Sequence, residues 1–389
     1  MDSSFPSIYL ISKFPNLAGH LKKFLPKEVN LIVVPLTDQV KRWNKSIKLS
    51  EEGKVLIKDA EALVIDCTYL SELLYSLPNA KWIQTTWAGL ELLMENVDKT
   101  KPPPNFTLTR YVDPYFGELM SNYVIAQIIN IERGFYIYRD AQKTATWARP
   151  FFPDFRVLSD LTVGILGAGK LGASVGCLLK KAGCSVLVFV RNSRGGTSTD
   201  DYDEATTNLN DVLERCDYLV NVLPSTPETA GLLDEDVLKS CRKKPVFINI
   251  GRGDIIKESN IIKALKEGWI SKAILDVFEV EPLPPDNPLW STPEPGASEK
   301  SPNNVEFRQI SYNHSLGDLA RVWFTIGDIL ARLTENRFAL GDLAVHNWGH
   351  LRPAAYRHTV LEQSTIVTLE GSDWTSESDI AMLYFFVYL

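Results

Sequence analysis

No two cysteines in this 389-residue sequence are spaced as a zinc ligand set or a disulfide framework would space them. The five that occur (Cys67, Cys177, Cys184, Cys216 and Cys241) are scattered. That is the pattern of a reducing compartment, so the expected location is the cytoplasm, and no metal site is expected. No run approaches the roughly 18 apolar residues of a membrane-spanning helix. The closing "IAMLYFFVYL" is apolar but too short to span a bilayer. The opening "MDSSFPSIYLISKF" lacks the basic start and long apolar stretch of a secretory signal. Basic residues are not in excess either: 41 Lys and Arg against 48 Asp and Glu leave a net charge of −7. Charge therefore gives no reason to expect nucleic acid or an anionic membrane as a partner.

What is present is ordinary globular material, 45% apolar and 23% charged, in a chain long enough for two domains. Over the first 110 residues, short apolar runs at 7–12, 30–36, 62–66, 81–89 and 106–110 read as strands. Helical segments around 15–25 and 70–77 lie between some of them. Strands alternating with helices build a parallel sheet covered on both faces. A longer helix is expected from about Gly117 to Asp140. A second alternation begins at Leu161, with strands at 161–167, 185–191, 217–223, 245–251 and 273–278 and helices at 170–183, 208–216, 234–241 and 257–268. The fold class is thus α/β, with two doubly wound parallel-sheet domains in series. After Pro282 the chain turns proline-rich and polar and reads as a surface loop; 319–337 is helical, and beyond Gly341 no consistent periodicity appears.

The stretch "ILGAGKLG" (165–172) sits where a strand is expected to hand over to a helix. In that context Gly167, Gly169 and Gly172 have separate duties: a tight turn, room for a pyrophosphate, and close packing of helix on strand. Helix N-terminal amides near Lys170 and Leu171 would face the phosphates. At the end of the next strand an NAD-selecting carboxylate is expected. The chain instead reads Val190-Arg191-Asn192-Ser193-Arg194. Guanidinium groups clamp a 2′-phosphate that a carboxylate would repel, so NADP is expected over NAD. The competing view is that these arginines are solvated turn residues. Three further segments end strands or follow them. "FINIGRGD" (247–254) carries Ile250 and Arg252, "LDVFEVEPLP" (275–284) carries Asp276, Glu279 and Glu281, and "SYNHSLGD" (311–318) carries His314. Taken singly, each has a plain reading as a surface ion pair or a loop residue.

Together with "VNVLPSTPETAGLLDEDVL", "INIGRGDIIKE", "ILDVFEVEPLPPDNPLW" and "RYVDPYFGELMSNYVIAQII", these segments resemble the D-isomer-specific 2-hydroxyacid dehydrogenase family. The detail is most similar to its glyoxylate/hydroxypyruvate reductase branch, A type. The resemblance is strong over about 110–292, looser over 60–110 and weak over 314–337. It implies a Rossmann nucleotide domain (113–292) inserted into a flavodoxin-like substrate domain, residues 1–112 completed by about 314–340. Residues 293–313 are left as an atypical loop and 341–389 as an unassigned tail. It implies that Arg252 holds the substrate carboxylate and polarises the 2-oxo group, that a histidine protonates the oxygen, and that Glu281 favours the imidazolium. It implies substrate contacts from "TTWAGLE" (85–91) through Trp87 and the amides near Ala88, Gly89 and Leu90. Trp87 has simple core packing as its alternative. Pro224 and Thr226 would line the adenosine side of the cofactor, beside Ile250, and Asp276 would reach the nicotinamide amide.

One departure stands out. The family places Thr-Pro-His soon after "NPLW", and this chain has no such tripeptide; the first histidine after Trp290 is His314. Either an insertion precedes a retained acid, or the segment is foreign to the fold and His314 only looks like the acid. The leading expectation is an NADPH-dependent reductase of short 2-oxo acids such as glyoxylate and hydroxypyruvate. The alternatives are an interaction protein like the C-terminal-binding-protein corepressors of the same family, and a catalytically impaired NADP-binding homologue. The family also implies a homodimer. The run 115–138 is apolar on more than one face, and burial between the two domains is the competing reading.

Overall fold

The computed structural model describes residues 7–25, 27–36, 48–87, 89–98, 100–110, 114–147, 156–192, 200–291, 305–307 and 367–368. They fall into two compact units, one of residues up to Arg110 with Val367 and Thr368, the other running from Pro114 to Phe307.

In the first unit the elements run β1 (Ser7–Ile11), α1 (Leu17–Phe24), β2 (Asn30–Val33), α2 (Glu51–Leu56), β3 (Ala62–Ile65), α3 (Cys67–Leu73), β4 (Trp82–Thr85), α4 (Glu91–Glu95) and β5 (Thr107–Thr109). Strands β1 to β5 pair in parallel in the order β5-β4-β3-β1-β2. This is the flavodoxin-like order. Every residue of β3, β4 and β5 is buried, as strands covered on both faces must be. One helix absent from the sequence reading, α2, is locally well specified. The Ser50 hydroxyl accepts from the Gly53 N–H at 3.0 Å, and Glu51 and Glu52 occupy its first turn.

The second unit opens with α5 (Pro114–Glu132) and α6 (Phe135–Lys143). It continues with β6 (Thr162–Leu166), α7 (Lys170–Lys181), β7 (Ser185–Phe189), β8 (Glu204–Thr206), α8 (Leu209–Leu213), β9 (Tyr218–Asn221), β10 (Val246–Asn249), α9 (Glu258–Lys266), β11 (Lys272–Leu275) and β12 (Val305–Phe307). The sheet is parallel, in the order β12-β11-β10-β9-β6-β7-β8. That is the Rossmann order with one added edge strand, and it reverses direction at β6. Helix α5 packs on α7 through Met120, Val124 and Ile128 against Val175 and Leu179. The contact is close at Gly117, where a Cβ would lie 3.1 Å from Ser174, and the Ser121 and Ser174 hydroxyls are 3.0 Å apart. At the opposite sheet edge, Arg156 bridges the largely buried carboxylates of Glu132 and Asp217, and Asp217 also accepts the Thr162 N–H at 2.9 Å.

Four expectations are corrected. The single helix over 117–140 is two helices, because Gly134 adopts φ 57° and turns the chain between them. The helix expected over 234–241 is reduced to a 3-10 turn, Val237–Ser240, entered after Glu235 at φ 58°. Within the segment read as loop, Val305–Phe307 adds a strand beside β11, its alternation too short to register as a pattern. In the tail without periodicity, β13 (Val367–Thr368) pairs antiparallel with β5.

Candidate functional site

Ligands in open α/β sheets sit beyond the carboxyl ends of the strands, where strand order reverses. In the second unit that place is the loop after β6. Gly167 has φ +108°, a conformation few side chains tolerate, and its N–H donates to the Phe189 carbonyl at 3.0 Å. A Cβ on Gly172 would lie 2.0 Å from the Gly167 carbonyl oxygen, so only glycine lets α7 start this close to the strand. Gly169 differs: a Cβ there would meet nothing within 4 Å, and Gly169 and Lys170 are exposed. The loop is a backbone cradle, closed on the protein side and open outward at Gly169. The first turn of the 12-residue α7 directs its N–H groups to that opening. These residues fit a dinucleotide pyrophosphate.

The neighbouring strand ends complete the setting. Beyond β7, Val190 is half-buried and its N–H donates to the Thr206 carbonyl at 2.9 Å, while Arg191 and Asn192 are exposed. Ser193 and Arg194 lie outside the described residues. Beyond β9, Pro224 and Thr226 belong to a turn pinned by Thr229, whose hydroxyl donates to the Pro224 carbonyl at 2.6 Å and accepts the Thr226 N–H at 2.9 Å. The Glu228 carboxyl in this turn is held below its ordinary range by the Thr226 hydroxyl and its own backbone N–H, with a smaller contribution from the Arg191 charge. Arg191 and Thr226, assigned to one end of the cofactor, thus lie near a common carboxylate.

Beyond β10, the Ile250 side chain is buried in the core with Val163 and Ile248. The half-buried Arg252 donates from one guanidinium nitrogen to the Gly251 carbonyl at 2.9 Å. Beyond β11 the three acidic residues separate in role. Asp276 continues the strand, its N–H donating to the Asn249 carbonyl at 3.0 Å. Glu279 accepts the Glu258 N–H at 2.8 Å and so caps the start of α9. Glu281 accepts the Phe278 N–H at 3.0 Å, which fixes one carboxylate oxygen. A Cβ on Gly253 would lie 2.1 Å from the Phe278 carbonyl, so the turn bearing Arg252 is pressed against the loop bearing Glu281.

Trp87, Gly89 and Leu90 belong to the first unit. Leu90 is buried in its core, Trp87 packs partly against that core, and the Trp87 carbonyl accepts the Thr85 hydroxyl at 3.0 Å. Ala88 and His314 lie outside the described residues. Among the described residues no group of histidine, cysteine and carboxylate ligands is arranged to hold a metal. No helix among them is long and apolar enough to cross a membrane.

Two residues that the sequence reading passed over stand out here, Asn221 and Asn249. They sit side by side at the ends of β9 and β10, 0% and 1% exposed. Their signal was an amide closing an otherwise apolar strand, in "YLVN" and "VFIN".

Comparison with known proteins agrees with this geometry. Residues 125–296 match the model of the D-isomer specific 2-hydroxyacid dehydrogenase, NAD binding domain. That span is similar to the nucleotide-binding domain of the D-isomer-specific 2-hydroxyacid dehydrogenases. Among solved structures it is similar to a family protein from Aeromonas salmonicida, at 26% identity and TM-score 0.66, over 86% of this chain and 97% of that one. It is similar to a chain described as a probable 2-hydroxyacid dehydrogenase from Rhizobium etli, solved with NADP, HEPES and L(+)-tartaric acid. That match has 26% identity and TM-score 0.64, over 85% of this chain and 95% of the other. An NADPH-dependent glyoxylate/hydroxypyruvate reductase from Sinorhizobium meliloti shares the fold, at 23% identity and TM-score 0.64, over 85% and 95% of the two chains.

The cradle makes a paired prediction. Gly172→Ala forces its Cβ into a backbone carbonyl and should destabilise the free protein by about 1–3 kcal/mol, the usual size of overpacking. Gly169→Ala meets open space and should leave the urea midpoint in place while weakening dinucleotide binding. Equal effects of both variants on stability would contradict the cradle's geometry.

Proposed function

We propose that this protein reduces short 2-oxo acids, glyoxylate and hydroxypyruvate among them, to 2-hydroxy acids with NADPH. The observation that carries this reading is the half-buried Arg252 on a turn packed against the Glu281 loop, in the same unit as the glycine cradle. The nicotinamide, when bound, supplies the hydride that the carbonyl carbon receives. Arg252 offers a planar fork of donors that holds the substrate carboxylate and stabilises charge growing on the 2-oxo oxygen. In the same reading His314 delivers the proton to that oxygen, and Glu281, its carboxylate steadied by the Phe278 N–H, favours the imidazolium. Trp87 and the amides near Ala88, Gly89 and Leu90 contribute substrate binding, and Asp276 contacts the nicotinamide amide. The preference for NADPH rests on Val190 and Arg191 standing where a carboxylate would select NAD. It is in line with the NADP in the Rhizobium and Sinorhizobium structures.

The cofactor assignment is tested by fluorescence titration. Arg191→Ala should weaken NADPH by about 1.5–3 kcal/mol, the worth of a charged hydrogen bond, and barely alter NADH. Tighter binding of NADH by the parent protein would refute it. Arg252→Ala should raise KM for the oxo acid and lower kcat together, since it meets both the bound carboxylate and the developing alkoxide. An unchanged KM would remove Arg252 from the site.

A second copy of the chain is the proposed partner. Helix α6 has no buried residue and exposes Phe135 at 54% and Tyr138 at 44%, more aromatic surface than a solvated helix needs. Light scattering at micromolar concentration should give a dimer mass, and Phe135→Glu with Tyr138→Glu should give a monomer. A parent protein that is monomeric under these conditions would reject the proposal.

A further inference from the structure

Burying an amide side chain costs free energy unless each of its polar ends finds a partner. The second unit buries two, in register, at the ends of adjacent strands. Their orientation is fixed by groups that can only donate. The Leu223 N–H donates to Asn221 Oδ1 at 3.1 Å, so Asn221 Nδ2 faces the other way and donates to Asn249 Oδ1 at 2.8 Å. The Gly251 N–H donates to the same Oδ1 at 3.2 Å, leaving Asn249 Nδ2 to donate to the Arg252 carbonyl at 2.9 Å. The relay starts at the loop after β9, which carries Pro224 and Thr226, and ends on the backbone of Arg252. There is no slack beneath it: a Cβ on Gly251 would lie 2.7 Å from Asn221 Nδ2 and 2.7 Å from the Leu223 carbonyl.

We infer that Asn249, oriented by Asn221, is a positioning residue that sets the turn of Arg252 and ties it to the loop after β9. The inference rests on the role proposed above for Arg252 in holding the 2-oxo acid. Asparagine is needed because the position must accept from Gly251 and Asn221 and donate to Arg252 at once. A carboxylate of the same shape can do only the first.

The test uses Asn249→Asp in the full chain, read at increasing pH: the ionised carboxylate lacks the donor to Arg252 and keeps the acceptor, whereas the protonated acid still donates. Asn249→Ser, uncharged and smaller, carries the same expectation if the aspartate variant does not fold. KM for glyoxylate should rise about tenfold or more, the size of one lost hydrogen bond at a positioned group. The NADPH dissociation constant should move less than about threefold. The KM effect should vanish when Arg252→Ala is already present, because the two act through one group. Hydrogen exchange gives a readout free of turnover: the peptide covering 250–256 should exchange faster while β6, β9 and β11 keep their protection. Unchanged exchange there would overturn the inference, and so would a normal KM in Asn249→Asp alongside a raised KM in Arg252→Ala. An unchanged KM in Arg252→Ala itself would instead overturn the role given to Arg252, and the exchange result would decide the positioning claim alone.

Discussion

The chemistry at the carboxyl edge of the nucleotide sheet depends on how closely the backbone approaches itself there. Gly172 lies where any side chain would enter the Gly167 carbonyl, and Gly253 lies where any side chain would enter the Phe278 carbonyl. The first contact brings the N-terminus of α7 to the switch point and makes the cradle. The second brings the turn bearing Arg252 onto the loop bearing Glu281. In both, the missing Cβ lets polar backbone and charged side chains converge at one sheet edge. Neither contact contributes much apolar area; the buried strands beneath supply the stability that holds them.

Polar groups at that edge then divide their duties by partner. Asn221 and Asn249 are buried, and their side chains bond to each other and to the backbone of Leu223, Gly251 and Arg252. Glu279 is spent on the cap of α9. Glu281 is held at one oxygen by Phe278, and Arg252 is half-buried at the rim. The three acidic residues of "LDVFEVEPLP" looked equivalent as letters, and their hydrogen bonds separate them.

The sequence made much of this legible, because parallel strands buried on both faces write themselves as apolar runs. Every strand of five residues or fewer in the β1–β5 and β6–β7 series lies inside a run read as strand, and Gly167, Gly169 and Gly172 stood in their structural context. What was missed follows from physics that single letters do not carry. Residues 204–206 and 305–307 are strands because their neighbours offer hydrogen bonds, not because three residues hold a pattern. Gly134 inside an apolar helical run gave no sign that it would take φ 57°. The Asn221–Asn249 pair depends on register between two strands nearly thirty positions apart, about the reach of a βαβ crossover, which no local reading supplies. His314, Ala88, Ser193 and Arg194 fall outside the described residues, so their part in the site stays with the proposal.

The central claim is reductive turnover by Arg252 and its neighbours, and one measurement meets it directly. The full chain is mixed with NADPH and either glyoxylate or hydroxypyruvate, and loss of the reduced-nicotinamide absorbance is followed. The account predicts saturable oxidation of NADPH that depends on the oxo acid and collapses in Arg252→Ala. Tight NADPH binding with no oxidation by either acid would contradict it and leave a dinucleotide-binding protein without this activity.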